Sequence, residues 1–176
     1  MSCILLTGGF GYIGSHTAAV LADKKQKFVI VDNFSNCKKD MFRKLEKITK
    51  KEITFYDLNI KETQKLREII IQNKITSVIH FAALKSVSDS LITPLEYYDV
   101  NVVGTLSLLS AMRLTGVKKF LFSSSASIYG EPKYCPIDEK HSLTPLNPYA
   151  QTKIIIEKIL KDLVRVEVDW SVTVSY

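Results

Sequence analysis

Apolar positions along the chain fall into two alternating patterns. Short, nearly unbroken apolar runs of strand length recur at 3–7, 28–32, 53–57, 78–82, 120–124 and 170–175. Between them lie segments whose apolar residues repeat at helical spacing: 13–23, 38–50, 61–73, 94–114 and 148–164. Unbroken apolar runs mark strands covered on both faces, whereas half-exposed strands alternate. Strands and helices in this rhythm predict an α/β fold, a doubly wound parallel sheet of six strands in the order 3-2-1-4-5-6. No internal repeat or Gly/Ser-rich linker interrupts the pattern, so residues 1–176 are expected to form a single domain. The longest irregular stretch, 129–147, carries Pro132, Pro136 and Pro145 and follows the fifth run, where an active-site loop is expected.

Composition narrows the class. With 46% hydrophobic and 24% charged residues over 176 positions, and only 7 glycines and 5 prolines, the chain is neither disordered nor repetitive. Cys3, Cys37 and Cys135 are scattered, and His16, His80 and His141 do not group with them, so neither a metal site nor a disulfide framework is expected. No apolar run approaches the roughly 18 residues of a membrane span, and the run at 4–6 is too short for a signal-peptide core. A soluble cytoplasmic protein is the expectation. The net charge of +6 is concentrated in 38–52, where seven basic side chains face three acidic ones. Met41, Leu45 and Ile48 recur there at helical spacing, so the charges read as the solvated face of one amphipathic helix, and no nucleic-acid partner is expected.

Candidate chemistry begins where the first run ends. Thr7 leads into Gly8, Gly9, Gly11 and Gly14, which satisfy GxxGxxG and GxGxxG at once. Glycines at these spacings permit a tight turn, close approach of backbone to a pyrophosphate and helix-to-strand packing, the Rossmann dinucleotide fingerprint. The following helix offers free N–H groups and a positive dipole end. Asp32, closing the second run 24 positions after Gly8, can accept from the adenosine ribose hydroxyls and repel a 2′-phosphate, which favours NAD over NADP. A second constellation is Tyr149 and Lys153, four apart on one helix face, with Pro148 at the helix start and Asn147 as its cap. An adjacent ammonium and a nicotinamide cation favour the phenolate of a tyrosine that otherwise titrates near pH ~10. Ser123, Ser124 and Ser125 close the fifth run, at the strand end where such sheets bind ligands.

These residues resemble the extended short-chain dehydrogenase/reductase family along the whole chain. The phrases carrying the resemblance are TGGFGYIGSHT from Thr7, VDN ending at Asn33, HFAALKSV from His80, PLEYYDVN from Pro94, SSSASIYG from Ser123 and NPYAQTK from Asn147. The resemblance implies that Gly8, Gly11 and Gly14 with Tyr12 and Ile13 hold the pyrophosphate of NAD, and that Asp32 and Asn33 hold its adenosine side. It further implies that Asp57 and Leu58 contact adenine, that Phe81, Ala82, Ala83 and Lys85 touch the cofactor's ribose and phosphate, and that Asn101, a helix asparagine near the site, also binds the cofactor. Ser125, Tyr149 and Lys153 match the catalytic triad, with Tyr149 and Lys153 also touching the cofactor. The implied partners are a UDP-sugar substrate and a second copy of the chain in a homodimer. No metal, nucleic acid or membrane is implied.

Within that family, dehydratases and decarboxylases carry an acidic residue just after the catalytic hydroxyl, where this chain has Ala126 and Ser127. The resemblance therefore favours oxidation and re-reduction of a sugar carbinol over loss of a hydroxyl. The alternatives are another nucleotide-sugar enzyme of the family, or a module that binds NAD without catalysis. The family's carboxyl-terminal, sugar-gripping part has no counterpart before Tyr176. The expectation is thus NAD binding without turnover, and self-association through 170–176 with Trp170, Val172, Val174 and Tyr176 on one uncovered side.

Overall fold

The computed structural model describes residues 2–176. Six parallel strands, β1 (Cys3–Thr7), β2 (Lys27–Asp32), β3 (Phe55–Asp57), β4 (Ile75–His80), β5 (Lys119–Ser123) and β6 (Ser171–Ser175), form one sheet in the order β3-β2-β1-β4-β5-β6. This is the topology the hydrophobic pattern predicts. Adjacent residues of one strand serve different cores. Leu5 and Val31 join the cluster beneath α3 (Thr63–Gln72), α6 (Gly104–Thr115) and α7 (Pro148–Val166), while Leu6 and Ile30 join the one beneath α1 (Tyr12–Asp23) and α2 (Met41–Thr49). Each fully buried Leu or Ile contributes about 1.5–3 kcal/mol, and burial on both faces is why β1 and β2 carry no polar alternation.

The sixth strand departs from expectation. Its residues alternate, with Val172 and Val174 packed on the larger core and Ser171, Thr173 and Ser175 turned to the other, thinly covered face. The apolar side expected to be open is thus largely closed, and Trp170 is buried. Three helices pack on one face of the sheet and two on the other, so β5 and β6 are covered on one side only.

The region expected as one helix over 94–114 is α5 (Pro94–Tyr97), a π-helical turn (Tyr98–Val103) and α6 in succession, preceded by a short α4 (Val87–Ile92) that the periodicity did not show. Ser86 caps α4 by accepting from the Asp89 N–H. A π turn widens a helix by one residue and is frequent at functional sites. A further one-turn 3₁₀ helix (Ala126–Tyr129) lies between β5 and the stretch expected to be irregular. In α2 the charges are solvated as expected, although Ile48 faces solvent with them and Leu45 alone is fully buried. No helix of the described residues is long and apolar enough to cross a membrane, and Cys3, Cys37 and Cys135 are free thiols.

Candidate active site

A cavity of about 1030 Å³ opens at the carboxyl ends of β1, β2, β4 and β5. It lies at the point where the strand order reverses between β1 and β4, which is where open α/β sheets bind ligands. On its β1 side the glycine turn is dictated by space. Gly8 adopts φ +68°, and a Cβ there would stand 2.6 Å from the Ala82 nitrogen; at Gly14 it would stand 2.2 Å from the Gly8 oxygen. At Gly11 the nearest atom, the Gly8 oxygen, is 3.3 Å away, so the steric demand inside the protein is weaker there than at Gly8 or Gly14. Helix α1 starts at Tyr12 after an N-cap, Gly11, that offers no side-chain cap, and its first turn holds no acidic residue. Its first N–H groups therefore face the cavity, a donor set suited to a pyrophosphate. Tyr12 and Ile13 line the same mouth and are more than half exposed.

Asp32 ends β2 with only 9% exposure. One carboxylate oxygen accepts from the Phe10 N–H and the other from the Phe34 N–H, both at 2.9 Å. The carboxylate thus braces the glycine turn as well as facing the cavity. Cys37 lies beside it, and burial first, then the Asp32 charge, push the thiol up to about 11, so it stays protonated at neutral pH.

On the opposite side, Asn147 caps α7 by accepting from the Ala150 N–H at 2.8 Å, and the helix delivers Tyr149 and Lys153 to the cavity wall. The Lys153 ammonium donates to the Ser123 carbonyl at 2.8 Å and lies 4.8 Å from the Phe122 ring centroid and 5.8 Å from that of Tyr149. Burial lowers it from 10.5 to about 8, with the Glu157 charge acting in the other direction. Ser125 lines the cavity between β5 and the 3₁₀ helix, its hydroxyl 2.5 Å from that of Ser127 and accepting from the Ser127 N–H.

The cavity wall brings together Gly8, Gly11, Tyr12, Ile13, Gly14, Asp32, Asn33, Leu58, Phe81, Ala82, Ala83, Lys85, Ser125, Tyr149 and Lys153. Two expected residues lie elsewhere. Asp57 is turned out to solvent and pairs with Lys39 at 3.3 Å; the wall at that end is made instead by Asn59, Ile60 and Lys61. Asp57 pairs in register with Asp32, but its carboxylate is held by Lys39 at the surface instead of lining the cavity. Asn101 is buried off the cavity. Its amide oxygen accepts from the Leu84 N–H, and its amide N–H groups donate to the Leu84 carbonyl and to Thr152. From its place in the π turn it ties the segment carrying Lys85 to α7. Sequence reasoning also missed Ser35, Asn36 and Asn59, whose only signal is a polar residue shortly after a strand end.

Behind this wall His80 is fixed by two threonines. Thr105 Oγ1 donates to the Asn101 carbonyl and so accepts from His80 Nε2, while His80 Nδ1 accepts from Thr7 Oγ1 at 2.6 Å. Burial pushes this imidazole down to about 3, so it stays neutral and structural. Among the described residues no three His, Cys, Asp or Glu side chains converge as metal ligands.

Residues 5–172 match the protein family described as GDP-mannose 4,6 dehydratase, and the chain belongs to that family. It is 44% identical over 169 residues to the UDP-glucose 4-epimerase of Bacillus subtilis (strain 168), a match covering 96% of this chain and 50% of that protein. It is 46% identical over 168 residues to the UDP-glucose 4-epimerase of Dictyostelium discoideum, covering 96% and 49%. The crystal structure of the Stenotrophomonas maltophila UDP-glucose-4-epimerase with bound NAD and formylated UDP-arabinopyranose superposes with TM-score 0.96 at 36% identity, over 99% of this chain and 52% of that one. The Bifidobacterium longum enzyme in complex with NAD+ and UDP gives TM-score 0.95 at 38% identity, over 98% and 52%. The chain spans about half the length of the relatives it matches and corresponds to their amino-terminal half.

Proposed function

We propose that this chain is the NAD-binding half of a UDP-glucose 4-epimerase, an isomerase that interconverts UDP-glucose and UDP-galactose through a 4-keto sugar, in the galactose metabolism of the cytoplasm. The observation that carries the reading is the convergence of an uncapped glycine-loop helix, Ser125, Tyr149 and a buried Lys153 on one cavity. The residues present fit NAD. The first turn of α1 suits its pyrophosphate, Asp32 its adenosine ribose, and Lys85, with no ion pair among the described residues, the charge nearby. When bound, NAD supplies a reversible two-electron acceptor.

The chain's own groups do the proton work. Tyr149 takes the proton of the sugar 4-hydroxyl and later returns it, and Ser125 shares the hydrogen bond to that oxygen. Lys153 holds positive charge next to the phenol. Ala126 and Ser127 supply no carboxylate to expel a neighbouring hydroxyl, which favours epimerisation over dehydration. A homodimer is the assembly we assign, supported by exposed Leu91, Ile92 and Leu95 on α4 and α5; sedimentation that gives a monomer at micromolar concentration would remove it.

Titration calorimetry tests the binding half. The chain is expected to bind NAD at least about tenfold more tightly than NADP, because Asp32 faces a 2′-phosphate. Equal affinities would refute the assignment. A coupled assay on this chain is expected to show no conversion of UDP-glucose. In a protein joining it to the carboxyl-terminal half of an epimerase, Tyr149→Phe is expected to keep NAD bound and lower turnover by about 100-fold or more. Turnover retained in that variant would move the proton transfer to another group, Ser125 first.

A further inference from the structure

Glu157 is a buried carboxylate for which the reaction above has no use. It sits one turn beyond Lys153 on α7, at 5% exposure beside the 4% of Lys153. Burial of a carboxylate is costly unless it is hydrogen-bonded and faces opposite charge. Glu157 has both. One oxygen accepts from the Ser124 hydroxyl at 2.5 Å and the other from the Tyr176 hydroxyl at 3.3 Å. Lys153 meanwhile donates to the carbonyl of Ser123. Two α7 residues at i, i+4 thus clamp two successive residues of one strand end, and the next residue is Ser125.

We propose that Glu157 is a positioning residue of this site, holding Ser124 and supplying the opposing charge for the Lys153 ammonium. The inference rests on the epimerase reading above. No carboxylate lies within 4.0 Å of the Lys153 nitrogen among the described residues, and its contacts are a carbonyl and two aromatic faces. In so dry a setting a charge acts beyond contact distance, because little water screens it. The groups facing Lys153 are Glu157 and Tyr149 on α7, Phe122 and the Ser123 carbonyl on β5, and neutral His80 on β4, so Glu157 is the one anion. Those facing Glu157 are Ser124, Tyr176 and Tyr129 with Lys153. Burial first and the Glu157 charge second push the Tyr176 phenol up, so that ring does not compete as an anion.

The test follows the titration of Lys153 by NMR in the full chain labelled at lysine Cε, with Lys153→Met to assign the resonance. Glu157→Gln keeps an acceptor for Ser124 and removes the charge; Ser124→Ala keeps the charge and removes the clamp. The expected result is a Lys153 midpoint lowered by about one unit in Glu157→Gln and unchanged in Ser124→Ala. In Ser124→Ala, amide exchange at Ser125 is expected to rise about tenfold as the strand end loosens. An unmoved midpoint in folded Glu157→Gln, or an equal fall in both variants, would overturn the proposal. Should Glu157→Gln fail to fold, Glu157→Asp decides, since a midpoint kept with the charge supports the role and a lost one refutes it. Failure of the unmodified chain to bind NAD refutes the enzyme reading instead, so the two failures are told apart.

Discussion

On the β1 and β2 side of the cavity the chain presents mostly backbone: a glycine turn packed against Ala82, the open first turn of α1 and one carboxylate that ties the turn to the loop after β2. On the β5 and α7 side it presents ionisable side chains, with Lys153, Glu157 and Ser124 buried in one network and Asn101 bracing the segment beside it. The first side achieves its shape by having no side chains where a ligand and the neighbouring strand must come close. The second depends on side chains held in low dielectric, where each group's protonation depends on its neighbours. One side should therefore fail by steric intrusion, and the other through changes in charge and pH.

The largest effect is expected from intrusion. Gly8→Ala places a Cβ against the Ala82 backbone at a φ of +68°, where nothing can give, and should cost about 3 kcal/mol in urea unfolding and abolish NAD binding. Gly116→Ala is its control: φ is +73° there too, yet no atom lies within 4 Å, so only backbone strain of about 1 kcal/mol is expected, with NAD binding intact. Equal losses at the two positions would mean that strain, not the close approach, governs the first side.

The charge-governed side gives the next effect. Lys153 titrates at about 8 in the folded chain against 10.5 as its ordinary value. Below pH 8 both folded and unfolded chains hold the proton. Between 8 and 10.5 the unfolded chain still holds it while the folded chain has released it, so stability should rise with pH across that window, by up to about 3 kcal/mol. Lys153→Met should abolish that rise and be the more stable protein at pH 7 without ligand. Urea midpoints at pH 7.5 and 10 check this, and parallel slopes for the two proteins would break the contrast between the sides.

Asp32→Ala is expected to weaken NAD binding by about tenfold to 100-fold, the scale of losing hydrogen bonds to a charged acceptor. Because Asp32 also accepts from Phe10 and Phe34, thermal unfolding should fall with it. Unchanged stability would show that the carboxylate serves the ligand alone. The smallest effect belongs to Asp57→Ala, expected to change NAD affinity less than about twofold because its partner is an exposed lysine. A larger loss would return Asp57 to the site.

Local sequence patterns by themselves determined the strands, their parallel layering with helices and the glycine turn, because burial on both faces and phosphate approach each leave a signature a few residues long. They also placed Tyr149 and Lys153 on one helix face, since α-helical spacing is a local property. What only the tertiary structure decided is where side chains from distant segments meet. The outward turn of Asp57 with Asn59 in its place, and the span of Asn101 from a π turn to Leu84 and Thr152, depend on contacts between segments far apart in sequence that apolar periodicity does not record. The pairing of Glu157 with Ser124 joins residues 33 apart in sequence. A carboxylate at that position of an amphipathic helix reads as solvated until the packing of α7 on β5 and β6 takes it out of water.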